Sequence, residues 1–165
     1  MKHSVDILIY ANSIPNNIPK ELSTNYLMEY FGCCSKGDIS MKARIDKSQY
    51  RVGEVANLQL SFEKANVKIQ IHKIEILLEY FIEIKAKGKA LSKSKSVINK
   101  IVQPGFDLTQ NKKDYSIKLN IQKNLPHNSD GKMIKSRYSV KVIARTQYFC
   151  RCGSENPNVK IGIQI

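Results

Sequence analysis

Two runs of strict alternation frame the middle of the chain. "DISMKARID" sets Ile39, Met41, Ala43 and Ile45 against Ser40, Lys42, Arg44 and Asp46. "VANLQLSFE" sets Ala56, Leu58, Leu60 and Phe62 against Asn57, Gln59, Ser61 and Glu63. Successive strand side chains point to opposite faces, so period two predicts two strands, each with one buried face. The stretch "DKSQYRVGE" (Asp46 to Glu54) is then the connection between them. Downstream, "NVKIQIHKIEILLEYFIEIKAKGK" is too long for one ordinary strand. Its apolar positions change phase near His72. Val67, Ile69 and Ile71 are odd, whereas Ile74, Ile76, Leu78, Tyr80, Ile82 and Ile84 are even. A one-residue slip exchanges the faces of a strand, so the pattern predicts a bulge or a strand passing between two sheets.

Further strands are predicted at Val97 to Val102, Tyr115 to Gln122, Tyr138 to Arg145 and Val159 to Ile165. The turn signals "QPG", "LPHNSDGK" and "GSENPN" separate them. At the N-terminus Val5 to Tyr10 reads as a short strand. The following "SIPNNIPKELSTN" reads as a linker, because Pro15 and Pro19 interrupt any ladder. "NYLMEYFGCC" fits a helical turn or an extended connector equally well. About seven or eight short strands, with no clear helical period, predict an all-β chain. The expected fold is an immunoglobulin-like antiparallel β-sandwich. The division expected is residues 1–36 as N-terminal strand and linker, and 37–165 as one sandwich domain. A chain of 165 residues is long enough to bury a core of its own.

Charge changes the picture. The chain holds 27 Lys and Arg against 14 Asp and Glu, a formal net charge of +13. Such a surplus attracts polyanions: nucleic acid, an anionic membrane surface or phosphorylated peptide. Its most concentrated source runs from Lys85 to Lys100, where Lys85, Lys87, Lys89, Lys93, Lys95 and Lys100 occur with no acid between them. A hairpin about Gly88 to Leu91 would make them a basic ribbon. Lys85, Lys87, Lys89, Lys93 and Lys95 are therefore the candidate residues for an anionic partner. The plainer alternative is a solvated edge, since lysines on an edge strand discourage sheet-to-sheet pairing. Nucleic acid is disfavoured, because arginines and aromatics do not interleave with these lysines.

Catalytic chemistry is not visible. His3, His72 and His127 are isolated, and His72 falls at a strand irregularity, which suits a structural histidine. No nucleophile elbow, phosphate loop or paired-carboxylate spacing occurs. The chain is expected to be no enzyme and to need no cofactor. The cysteines come as Cys33-Cys34 and Cys150-x-Cys152. Four thiolates could hold zinc, but structural sites favour two residues between paired cysteines, so no metal is expected. S-acylation of Cys33 or Cys34 and idle thiols are the remaining readings. The first ten residues lack an apolar signal core, no Asn-x-Ser/Thr sequon occurs, and no apolar run reaches the ~20 residues of a membrane span. These features predict a cytoplasmic location, peripheral at membranes if the lysines meet anionic lipid.

The connecting stretch carries a resemblance. "KGDISMKARIDKSQYRVGEVANLQLSFE" resembles the opening of the C-terminal domain of the arrestin family, where a strand ends in a Leu/Ile-Asp-Lys/Arg-x-x-Tyr-x-x-Gly-Glu turn. The matching residues are Ile45, Asp46, Lys47, Tyr50, Gly53 and Glu54. "IHKIEILLEYFIEIKAKGK" is similar to the family's long strand and hairpin. "RYSVKVIAR" and "ENPNVKIGIQI" are similar to two later strands. "CC-x-x-G" is similar to the α-arrestin subgroup, and the retromer arrestin-like subunit is a related pattern. The resemblance spans residues 33–165. It implies a non-catalytic adaptor or scaffold in trafficking or signalling. Its partners would be proteins such as membrane cargo or receptor tails, with a separate N-terminal arrestin domain as a further partner. In the turn it implies structural roles: Gly53 supplying positive φ, and Tyr50 burying its ring at the sandwich end while its hydroxyl finds a partner. No Pro-Pro-x-Tyr motif for ubiquitin-ligase recruitment is present. A structural subunit of a large assembly is the alternative function.

Overall fold

A computed structural model describes residues 18–30, 34–65, 70–86, 89–106, 110–146 and 156–165. Val5 to Tyr10, Val67, Ile69, Lys87 and Cys33 lie outside the described residues, so the expectations placed on them are left there. Among the described residues nine strands run in chain order: β1 (Lys20–Tyr30), β2 (Cys34–Ile45), β3 (Val55–Ala65), β4 (Ile71–Ala86), β5 (Lys89–Phe106), β6 (Lys112–Asn120), β7 (Ser129–Asp130), β8 (Ile134–Thr146) and β9 (Asn158–Ile163). They form two antiparallel sheets. One has the order β1-β2-β3-β6. The other has the order β5-β4-β8, with β7 and β9 sharing the far edge of β8. The chain is an all-β sandwich, as the alternation predicts.

The core follows from period two. Ile39, Met41, Ala43 and Ile45 of β2 face inward with Ala56, Leu58, Leu60 and Phe62 of β3, and all are buried. Ile74, Ile76 and Leu78 of β4, with Val140, Val142 and Ala144 of β8, supply the opposite wall. Phe62 meets Phe106 at 6.0 Å and the edge of Tyr115 at 5.9 Å between ring centroids. Each fully buried aliphatic side chain contributes about 1.5–3 kcal/mol relative to exposure. Lys64 breaks the rule. It occupies an inward position of β3 and is buried, with its ammonium 4.8 Å over the Phe106 ring.

The phase change is a bulge. Ile71 pairs with Thr146 and Lys73 with Arg145, so β4 uses two residues where β8 uses one. His72 is the extra residue and points to solvent, while Ile71 and Ile74 both turn inward. Gly105 of β5 makes room for the bulge. A Cβ on it would fall 1.7 Å from the Ile71 carbonyl oxygen.

Two expectations are corrected. Lys20 to Asn25, within the stretch read as linker, is the first half of β1. It pairs residue by residue with β2, from Lys20 opposite Ile45 to Asn25 opposite Ser40. Pro19 itself stays out of the ladder, because the missing N–H of proline breaks pairing at its own position and no further. The hairpin also turns earlier than expected. β4 ends at Ala86, which pairs with Lys89, and β5 runs from Lys89 through the whole of Val97 to Val102.

Side chains close the two open seams of the sandwich. On one side Lys20 Nζ donates to the Gly162 carbonyl at 2.9 Å, and the Tyr26 hydroxyl donates to the Asn158 carbonyl. On the other, Gln122 Nε2 donates to the Ile98 carbonyl at 3.2 Å, Asn99 Nδ2 to the Asn120 carbonyl at 3.3 Å and the Tyr115 hydroxyl to the Pro104 carbonyl at 3.0 Å.

Candidate functional site

The Asp46 to Glu54 turn is a structural knot. Tyr50 is buried, and its hydroxyl donates to Asp46 Oδ1 at 2.5 Å while accepting from the Lys47 N–H at 3.1 Å. Asp46 also receives the Asn57 N–H at 3.0 Å and the Asn57 side-chain amide at 2.8 Å. Burial pushes the Asp46 carboxyl up, but the hydrogen bonds from Tyr50 and Asn57 outweigh it and hold it below its ordinary value. Burial, and then the bond to Asp46, raises the Tyr50 phenol. Gly53 takes φ +83°, and its N–H donates to the Ile121 carbonyl at 3.0 Å. Glu54 Oε2 accepts from the Arg51 N–H at 3.1 Å and lies 3.6 Å from Lys47 Nζ. The Tyr50 N–H donates to the Gln164 carbonyl at 2.9 Å, which ties the turn to the C-terminal end of the last strand. Asp46, Tyr50, Gly53 and Glu54 thus hold the end of the sandwich.

The lysines are a different matter. The register of β4 and β5 brings Lys93 opposite Glu83, and Lys95 opposite Phe81, diagonal to Glu79. Lys93 Nζ lies 3.2 Å from Glu83 Oε1, and Lys85 Nζ lies 3.3 Å from its Oε2. Lys95 Nζ lies 2.7 Å from Glu79 Oε1, with Lys160 of β9 at 3.5 Å from Oε2. One step further along, Glu75 gathers Lys73 at 3.3 Å, Lys100 at 3.1 Å and Arg145 at 2.8 Å. Glu75, Glu79 and Glu83 stand at every second outward position of β4. They form a carboxylate row down the middle of the outer face, overlaid by cations from β5, β8 and β9. Burial raises the Glu75 carboxyl, yet Arg145, Lys100 and Lys73 reverse that and hold it at about 2. Glu83 is likewise lowered, first by Lys93 and then by Lys85.

This corrects one premise of the ribbon. Its lysines are not mutually uncompensated, because the hairpin register supplies the acids that their own segment lacks. Lys85, Lys93 and Lys95 are paired, Lys89 is exposed at the start of β5, and Lys87 lies outside the described residues. A surplus remains. Seven cations (Lys73, Lys85, Lys93, Lys95, Lys100, Arg145 and Lys160) meet three carboxylates, so this network holds four more positive than negative charges. The signal for the row was the spacing of Glu75, Glu79 and Glu83. Only a fixed register shows that it faces the lysines.

The remaining candidates are quickly placed. Cys34 begins β2 opposite Tyr30, and Cys150 and Cys152 lie outside the described residues. Among the described residues no group of His, Cys, Asp and Glu is placed to hold a metal ion. No helix among them is long and apolar enough to cross a membrane.

The family model of the arrestin (or S-antigen) C-terminal domain matches residues 35–165, and the chain belongs to that family. Domains of this family are generally non-enzymatic and bind proteins. A solved structure, the sporulation control protein Spo0M from Bacillus subtilis, superposes with a TM-score of 0.61 at 13% identity. The match covers 76% of this chain and 48% of that one, so this chain spans about half of that protein. At this identity the likeness concerns the fold alone. No curated protein matches the chain.

Proposed function

We propose that the chain is a non-catalytic adaptor or scaffold in trafficking or signalling. It binds acidic protein segments, phosphorylated ones included, through the outer face and tip of the β4–β5 hairpin. The observation that carries this reading is the surplus of four positive charges that survives the internal pairing. Paired lysines still present two further N–H donors each, so a carboxylate or phosphate can be received without breaking the row. The test is binding of a phosphorylated acidic peptide at low salt, with acidic vesicles as a parallel arm. Replacing Lys93, Lys95 and Lys100 by Gln removes three of the seven cations, worth about 0.5 kcal/mol each at an exposed site, which amounts to about tenfold in affinity. Unchanged peptide binding would remove the hairpin from recognition. Binding to vesicles alone would move the partner from protein to membrane. The second reading, a structural subunit, is favoured only if the chain purifies without crosslinking in a fixed stoichiometric assembly.

A further inference from the structure

We propose that the free edge of β5 between Ser92 and Val97 receives an extended, acidic segment of a partner protein as an added strand. The inference rests on the protein-binding reading above and names the mode of contact.

The edge divides into two parts. Toward Phe106 it is tied to the facing layer at both ends of a short stretch: the Ile98 and Pro104 carbonyls accept from Gln122 and Tyr115, and the Asn99 side chain donates to the Asn120 carbonyl. From Lys89 to Val97 every residue is exposed, and among the described residues no strand lies beyond β5. Within that open part, Ser92 to Val97 pairs residue for residue with Ile84 to Glu79. Irregularities bound the stretch, with Leu91 before it and Ile98 after it as the extra residues. Six regular residues present about 20 Å of unpaired backbone, the length of an ordinary short strand.

Edges of this kind are normally guarded by prolines, by bulges within the stretch or by overhanging lysines. Here Pro104 lies in the covered part, and the bulges flank the open one. Lys93 and Lys95 are drawn back over β4 by Glu83 and Glu79, at 3.2 and 2.7 Å, so their ammonium groups sit over the sheet and away from its rim. A second copy of this edge would set two such lysine rows side by side, on a chain of net charge +13. The charge therefore selects an acidic strand over self-pairing. Outward residues of that strand would adjoin Lys93 and Lys95. Inward residues would adjoin Ser92, Ser94 and Ser96, which stand beside Ile84, Ile82 and Tyr80. The segment that fits alternates acidic and apolar residues.

The probe is the end-blocked heptapeptide Val-Glu-Val-Glu-Val-Glu-Val, set against its isomer Glu-Glu-Glu-Val-Val-Val-Val. Both carry three carboxylates, but only the first matches the pleat. At low salt the alternating peptide binds the full chain at least about tenfold more tightly, because main-chain bonds add to charge. Amide hydrogen exchange then slows at alternate residues of Ser92 to Val97. The variants Ser96→Pro and Val97→Pro, neither of which removes a charge, sharpen the test, since neighbouring strand N–H groups point alternately toward β4 and away. The variant that keeps the wild-type melting temperature has lost only an outward donor, and its affinity for the alternating peptide falls to that of the isomer. Equal binding of the two peptides with no slowed amides overturns strand addition and leaves the basic face as the protein-binding surface. Failure of both peptides to bind overturns the strand and the basic face together.

Discussion

Replacing Glu75 by Gln tests whether the carboxylate row holds the outer face together or merely lies under it. Glu75 is 3% exposed, and its two oxygens receive Lys73, Lys100 and Arg145. Its carboxyl falls from an ordinary 4.5 to about 2. Each tenfold change in proton affinity corresponds to about 1.4 kcal/mol, so the ceiling on its contribution is about 3 kcal/mol. The partners are 43%, 49% and 41% exposed, and water screens them. A contribution of about 1–2 kcal/mol follows. The stranded cations can rehydrate, so the variant avoids the larger cost of leaving a charge buried alone. The sign follows from the lowered pKa. A depressed carboxyl stabilises fully above its unfolded value of 4.5 and loses that stabilisation as the pH falls through about 2. More than half is gone by about pH 3. Urea melts of wild type and Glu75→Gln at low salt therefore differ by about 1–2 kcal/mol at pH 7, and the gap closes by more than half at pH 3. Taking the difference between the proteins removes the titration of the other carboxylates. A gap that is absent at pH 7, or of equal size at both pH values, refutes the argument.

Three further outcomes follow from named contacts. Tyr50→Ala costs about 3–5 kcal/mol, because the ring is buried, whereas Tyr50→Phe keeps the ring, loses the hydroxyl's bonds to Asp46 and to the Lys47 N–H, and costs about 1–2 kcal/mol in denaturant melts. Gly105→Ala costs more than about 4 kcal/mol or prevents folding, since its Cβ would sit 1.7 Å from the Ile71 carbonyl oxygen. Gly162→Ala is its control, with nothing within 4 Å of the added atom, and melts within about 0.5 kcal/mol of wild type. Replacing Lys85, Lys93 and Lys95 by Gln lowers the melting temperature by a few degrees, because Glu83 loses both of its counter-charges and Glu79 keeps only Lys160; a rise would show that repulsion among the lysines dominates.

The buried half of this fold was legible because one periodicity produces it. Ile39 to Ile45 and Ala56 to Phe62 alternate without exception, and the phase change near His72 offered the bulge as one of two readings. The turn was legible for another reason: Asp46, Tyr50, Gly53 and Glu54 stand at the spacing of the arrestin-family turn they resemble, and that resemblance implied their structural roles. What the sequence withheld depends on register. Glu75, Glu79 and Glu83 lie 10 to 25 positions from the β5 lysines they meet, and nothing local says that Lys93 lies opposite Glu83. β1 is hard to read because Pro15 and Pro19 dominate its approach, and because Leu22 is 43% exposed on an edge that needs few apolar residues. Lys64 is equally hard to foresee, because a buried lysine contradicts the pattern that identifies its strand.

The internal pairing bears on specificity. An unpaired lysine ribbon would attract any polyanion, with a range set by the Debye length of about 8 Å. Once Glu79 and Glu83 hold Lys93 and Lys95, the attraction becomes weaker and shorter in reach, and the ammonium groups acquire fixed positions. Fixed cations beside an open main-chain edge discriminate by spacing, since only a chain in strand conformation matches both the amide ladder and the alternate lysines. A disordered acidic tail can satisfy the charges but must give up conformational entropy to satisfy the edge. The same arrangement disfavours pairing between copies, where like charges would meet directly. Under the proposed strand addition the row of glutamates would thus do more than relieve repulsion: it would convert a general affinity for negative charge into a preference for negative charge at strand spacing.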